Sequence, residues 1–305
     1  MRQGLFEDGV RPQFAGHETF PLRLLWLKKA HDAVAAGAPA GTFAEQEAIA
    51  TFGVGRNMAA SIRHWAVATG FVAESDRALR PTHLGRMILA DGGLDPYLEA
   101  PATTWLAHWN VASTPELTTT AYFAFNGLTA IEFDPDGLVT ELESIAATRG
   151  WRATRGTLKR DVETFLRSYV RRRGQHGEDA AEPLLAELGL VREARLGGWY
   201  EFVRGPKPGL PDAVFAYALD AFWRRHGGAS LTAEQVSYAP GSPGRVFKLD
   251  EDSVVTRLMA LPRLTAGAWG WTDTAGLRQV QRISEIDALA LVPKAYGHAS
   301  ETAAA

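Results

Sequence analysis

Residues 42–80 constrain the fold of this chain more than any other stretch. Thr42 is an N-cap residue type and Glu45, three positions on, completes a capping box, which predicts a helix over 43–51. Phe52-Gly53-Val54-Gly55 follows, and its two glycines permit a tight backbone reversal. A second helix is predicted over 56–69. Met58, Ile62, Trp65 and Ala66 form its apolar stripe, and Gly70 occupies the position after its C-terminus. Arg56, Asn57, Ser61, Arg63 and His64 take the opposite face. Phe71-Val72-Ala73 and Ala78-Leu79-Arg80 flank the polar turn 74–77 as a hairpin, and Thr82 caps a short helix carrying Leu84, Met87 and Ile88. Helix, turn, helix and hairpin in this order describe a winged helix. Arginine forks onto guanine or clamps a phosphate and asparagine pairs with adenine, so the second helix reads as a nucleic-acid contact. A solvated polar face and a protein-docking face are the alternative readings.

The pattern recurs twice in weaker form. A helix starting at Thr157 carries Leu158, Val162, Phe165, Leu166 and Tyr169 on one side, with Lys159, Arg160, Arg167 and Arg171 elsewhere, and Arg172-Arg173 extend the basic run. A short helix over 184–188 and a hairpin around Leu196-Gly197-Gly198 follow, with 174–182 read as a flexible loop. After the linker Gly205-Pro206-Lys207-Pro208-Gly209, helices are predicted over 213–225, 231–238 and 250–261, then a hairpin over 264–272. Ahead of the first module, a helix is expected over 21–36. Asp134-Pro135-Asp136-Gly137 reads as a turn. The expected fold class is therefore mainly α with small β-hairpins (α+β), as tandem winged-helix-like modules around a helical middle. The expected organisation is an arm over 1–20, a winged-helix domain over 21–92, and a helical middle over 93–204 that ends in a second such unit. A third unit spans 210–292 and a disordered tail 293–305.

Composition narrows the chemistry. With 305 residues, 46% apolar, the chain can fill several cores. It contains no cysteine, which excludes disulfides, thiolate metal sites and a cysteine nucleophile, and leaves it unable to carry a persulfide. A net charge of −3 means that any basic face is local. No apolar run of membrane-spanning length and no secretory leader is present, so a cytoplasmic protein without membrane attachment is expected.

Four basic clusters are candidate phosphate contacts: Arg56/Arg63/His64 with Asn57, Lys159/Arg160, Arg167 with Arg171–Arg173, and Arg245/Lys248. For each, a solvated surface paired to nearby acids is the competing reading, and Lys159 with Glu163 is an ordinary i,i+4 pair of that kind. His17-Glu18 is the candidate catalytic pair, as a general base or as metal ligands. The competing reading makes it an anchor for the arm, with Thr19 capping a helix at Pro21. Asp250-Glu251-Asp252 is a candidate magnesium cluster, although acids at a helix start equally complement its dipole. No Walker loop, Rossmann glycine pattern, HExxH or G-x-S-x-G is present, so no nucleotide cofactor is expected.

Phe14-Ala15-Gly16-His17-Glu18-Thr19-Phe20-Pro21-Leu22-Arg23 resembles the opening signature of the SspB-like family of bacterial DNA phosphorothioation and phage-defence systems. Further matches are Gly53–Met58, Thr157–Val162, Gly244–Asp250 and Thr274–Val280, so the resemblance covers about 14–282. It implies a DNA-binding component that nicks DNA for single-strand sulfur modification, beside cysteine desulfurase and phosphosulfate-reductase-like partners. It carries over no catalytic residue, and no catalytic acid pair with a lysine is visible. Strand scission needs a base or metal to activate water, so Mg2+ or Mn2+ is the expected cofactor. A non-catalytic subunit that presents DNA to those partners, a protein scaffold, and a homodimer spanning two half-sites complete the expectations.

Overall fold

The structure, a computed structural model, describes residue 5 and residues 9–43, 47–76, 78–171, 183–195, 197–274 and 276–297. Three stretches of the chain repeat one order, three helices and then a hairpin, the third with one short extra helix. In the first, α1 (Trp26–Ala35), α2 (Glu47–Phe52) and α3 (Arg56–Ala68) precede β1 (Val72–Ser75), β2 (Ala78–Pro81) and the short α4 (His83–Leu89). Two buried helices follow, α5 (Pro101–Ser113) and α6 (Thr119–Asn126). Both are apolar around nearly their whole circumference, as helices enclosed by neighbours must be. With α6 as its first helix, the second stretch continues through β3 (Glu132–Phe133), α7 (Pro135–Arg149), α8 (Arg155–Tyr169), a 3₁₀ turn (Leu184–Leu188), β4 (Val191–Arg195) and β5 (Trp199–Phe202). The third runs α9 (Asp212–His226), β6 (Ser230–Thr232), α10 (Ala233–Tyr238), α11 (Pro243–Val246), α12 (Glu251–Leu264), β7 (Trp269–Thr274) and β8 (Leu277–Arg282), ending in a 3₁₀ stretch (Ala288–Tyr296).

The sheets repeat as well. In the second and third stretches a short strand ahead of the second helix joins the hairpin, in the orders β3-β5-β4 and β6-β8-β7, all antiparallel. In the first, the hairpin β1-β2 stays two-stranded. One apolar core runs through all three, with Trp109, Phe123, Phe125, Phe215, Trp223, Phe247 and Trp269 among its enclosed side chains. This is the α+β fold expected. Among the described residues no helix is long and apolar enough to cross a membrane.

Several local expectations need correction. The helix expected from Pro21 begins only at Trp26, because Glu18 and Thr19 adopt left-handed φ values of 46° and 65°, and Thr19 is no N-cap. The helix expected over 43–51 divides into a 3₁₀ turn (Ala40–Phe43) and α2, and Glu45 of the expected capping box lies outside the described residues. Asp134-Pro135-Asp136-Gly137 does not turn but starts α7. The Asp134 carboxylate accepts from Gly137 N and Pro135 fills the first turn, where no amide is needed. The helix expected to start at Thr157 begins two residues earlier, at Arg155, capped by Thr154. The third hairpin lies over Trp269–Arg282, not 264–272, because α12 persists through Pro262 to Leu264. The tail expected to fray from 293 stays ordered to 297, with Tyr296 Oη 2.9 Å from Thr103 Oγ1. The loop read over 174–182 lies outside the described residues.

Gly85 shows how closely the first unit is built. Thr82 Oγ1 caps α4 by accepting from Gly85 N, which presses that glycine onto the Phe71 carbonyl. A Cβ at residue 85 would lie 2.0 Å from Phe71 O. Gly85→Ala is therefore expected to cost about 3 kcal/mol or more, since backbone rather than a mobile side chain must move. Urea denaturation of the variant checks this, and an unchanged midpoint would refute the packing described.

Candidate nucleic-acid interface and the buried histidine site

The basic candidates divide sharply by environment. Gly53, with φ of 67°, turns the chain between α2 and α3, and Gly55 opens α3 so that Arg56 and Asn57 project into solvent in its first turn. On α8, Lys159 and Arg160 are exposed and make no ion pair among the described residues. The pair expected between Lys159 and Glu163 is not formed. Arg63 is half-exposed, and its Nη2 lies 2.5 Å from Glu74 Oε1 on β1, so its charge is largely met within the protein. Arg171 is exposed at the end of α8, whereas Arg172 and Arg173 lie outside the described residues.

Five side chains do not take the outward positions expected. Ser61 is fully buried. His64 turns toward the arm, with its Nε2 shut off from solvent and unpartnered. Burial, then the neighbouring His17, lowers its pKa to about 3. Arg167 donates to Thr19 O, and to Thr164 Oγ1 at 3.1 Å, and so ties down the arm. Arg245 is half-buried and donates from Nε to Tyr238 O at 3.0 Å. Lys248, only 2% exposed, places Nζ 2.5 Å from Phe125 O and 4.0 Å over the Phe202 ring. Burial, with Arg204 and Arg245 nearby, holds its pKa well below the usual lysine value. Lys248 is a core residue that joins α6 to β5, because its left-handed backbone (φ 53°) folds the stem inward.

His17 and Glu18 part company. Glu18 is exposed. His17 is buried, stacked on Trp65 with ring centroids 6.2 Å apart, and its Nε2 lies 2.8 Å from Asp161 Oδ1. Thr19 N donates to His17 Nδ1 at 3.1 Å. An amide donating to Nδ1 leaves Nε2 as the protonated nitrogen, aimed at the carboxylate. Asp161 also accepts from Ala15 N at 2.6 Å and, through Oδ2, from Thr120 Oγ1 at 2.6 Å. The two residues are thus not a paired base, and both His17 nitrogens are committed. Beside them is a cavity of about 20 Å³, room for about one water, lined by Gly16, His17, His64, Thr120, Asp161 and Ser168 among others.

Asp161 and Thr120 were not picked out from the sequence. The signal existed, since Asp161 is an acid within the apolar stripe of α8, between Leu158 and Phe165. A buried carboxylate demands partners, and the arm supplies them.

The acidic run 250–252 serves the fold. Asp250 caps α12 by accepting from Ser253 N at 2.8 Å, and Glu251 pairs with Arg278 and accepts from Tyr238 Oη. Among the described residues no three His, Asp or Glu side chains are arranged to hold a metal ion. These donors do not fit a magnesium site.

Two solved structures share this architecture. A magnesium ion-bound SspB crystal structure matches with a TM-score of 0.83 and 26% sequence identity, over 94% of this chain and 87% of that one. A second SspB crystal structure matches with a TM-score of 0.82 at the same identity and coverage. The fold is therefore SspB-like. No curated protein matches the sequence. Residues 14–296 match a family model described as a protein of unknown function, DUF4007.

Proposed function

We propose that this chain, which belongs to the DUF4007 family, is the DNA-binding component of a bacterial DNA phosphorothioation and phage-defence system and nicks DNA to admit sulfur into one strand. The likeness to SspB over 94% of the chain carries the reading. The repeated helix–helix–hairpin units support it as winged helices, with Arg56 and Asn57 on α3 and Lys159 and Arg160 on α8 free to meet a duplex. Two cations on the exposed face of one helix suit backbone phosphates, whereas Asn57 beside Arg56 suits base edges. Cysteine desulfurase and phosphosulfate-reductase-like proteins are the proposed partners, because a chain without cysteine leaves sulfur transfer to others. A homodimer is the proposed assembly. Magnesium, bound in one of the SspB structures, is the first cofactor to supply in the assay.

One observation favours a second reading, in which the chain only presents DNA to those partners. The His17 ring is committed on both sides, to Asp161 and to Thr19 N, and so is not poised to take a proton from water.

Supercoiled plasmid separates the two. With Mg2+ or Mn2+, purified protein is expected to convert it to open circles. Retarded but unbroken plasmid would leave the presenting role, and neither retardation nor breakage at about 100 mM salt would end both readings. Lys159→Ala with Arg160→Ala is expected to weaken duplex binding about tenfold or more and to lower the salt slope by about 2, one per lost phosphate contact.

A further inference from the structure

The arm over residues 13–20 grips three helices at once. On α3 it is held by the His17–Trp65 stack, by Trp65 Nε1 donating to Phe20 O at 2.9 Å, and by Gly16 against His64. A Cβ at residue 16 would lie 2.6 Å from His64 Nδ1, so only glycine lets the arm approach so closely. On α8 it is held by Asp161 through His17 and Ala15 N, and by Arg167 at Thr19 O. On α6, Thr119 Oγ1 accepts from Gln13 N at 2.9 Å. Helices α3 and α8 rest mainly on other partners: α3 on α1, the 3₁₀ turn Ala40–Phe43, α2 and β1, and α8 on α7, the 3₁₀ turn Leu184–Leu188, α6 and β4. Three non-glycine residues of the arm, Ala15, Glu18 and Thr19, hold left-handed φ values of 59°, 46° and 65°. Such conformations persist only where the surroundings over-determine them, and they gather at clamps and functional sites.

The geometry points to His17 as a positioning residue: through Asp161 and Trp65 it fixes α3 and α8 in one relative placement, so that the first and second units engage a single duplex together. The cations at issue, Arg56 on α3 and Lys159 and Arg160 on α8, lie on two of the helices that the arm joins. Joining two weak contact sites rigidly makes the second contact intramolecular, which multiplies affinity without any new contact. The arm signature thus acts on DNA without touching it. The functional half of this inference rests on the DNA reading above, whereas the structural half does not.

Two measurements test the halves apart. The chain has no cysteine, so Arg56→Cys with Lys159→Cys gives a clean spin-label pair on exposed positions. One narrow distance distribution is expected, and His17→Ala is expected to broaden it. An unchanged distribution would overturn the clasp whether or not the protein binds DNA. If His17→Ala does not fold, Arg167→Gln, which removes the bond to Thr19 O from a half-buried position, takes its place with the same expected outcomes. In duplex binding by fluorescence anisotropy, His17→Ala is expected to weaken affinity at least tenfold and to abolish the further effect of Arg56→Ala. Wild-type affinity with full sensitivity to Arg56→Ala would refute joint engagement. Failure of the unmodified protein to bind duplex would refute the DNA reading and joint engagement with it, and leave the distance measurement to judge the clasp.

Discussion

Acidification from pH 6.5 to pH 3 is expected to remove most of the stability of this chain, through two histidines rather than through its carboxylates alone. Burial lowers the pKa of both His64 and His108 from 6.5 to about 3. Each ring is neutral in the native state across this interval, while the unfolded chain takes up a proton at each as pH passes below 6.5. The unfolded state therefore binds more protons, and stability falls as pH falls. It is fully present above pH 6.5 and is lost progressively down to about pH 3. Each histidine contributes on the order of 4–5 kcal/mol at the low end, against a total of roughly 5–15 kcal/mol for a folded domain. Burial, with Lys248 nearby, opposes a second proton on His108, while its hydrogen bonds fix the neutral tautomer. Its Nδ1 lies 2.8 Å from Tyr169 Oη and its Nε2 2.9 Å from Val246 O. The carbonyl can only accept, so Nε2 donates, and Nδ1 must receive the tyrosine hydroxyl. Urea midpoints measured between pH 7 and 4.5 are expected to fall with a slope approaching two protons. A level profile would show that these rings ionise inside the fold.

Asp161→Ala is expected to destabilise the protein by about 3–5 kcal/mol, because each buried donor left without its acceptor costs about 1–3 kcal/mol. The change strips an acceptor from three enclosed donors at once: His17 Nε2, Ala15 N and Thr120 Oγ1. A fall in melting temperature of roughly 10 °C follows, with new protease cleavage within residues 9–20 as the arm comes away. A melt within about 2 °C of wild type and an arm still resistant to protease would mean that the arm is held by its apolar contacts alone. His17→Gln separates the hydrogen bond from the stacked ring, because an amide N–H can still reach the carboxylate. It is expected to recover part of the loss.

Much of the architecture was legible because it rests on short-range signals. The hairpin around Gly197-Gly198 lies where alternation and glycines placed it, and Thr82 caps α4 as its residue type suggests. Where the reading failed, the deciding interaction was long-range. Asp134-Pro135-Asp136-Gly137 carries residues that serve a turn and a helix start equally well, and the apolar positions Leu138, Val139 and Leu142 of α7 decide for the helix by packing into the core. The helix expected from Pro21 is displaced because His17 is drawn to Asp161, 144 residues away, and the backbone at Glu18 and Thr19 bends to permit it. Charge was the poorest guide. Lys248, Arg167 and Arg245 look like a phosphate-binding set in the sequence, yet each gives a hydrogen bond to a backbone carbonyl of its own chain. Only the surrounding fold distinguishes a lysine among Phe125 and Phe202 from the solvated Lys159.

The first hairpin bears on how the molecule keeps to itself. Its counterparts in the second and third units each have the outer side of their second strand closed by an added strand, but β2 meets no such neighbour among the described residues. Bare strand margins invite an extended polypeptide to zip alongside, which is how soluble proteins are recruited into fibrils. At β2 that invitation is withdrawn in three ways: the margin is only four residues long, it carries the solvated guanidinium of Arg80, and it stops at Pro81, which has no amide hydrogen to offer.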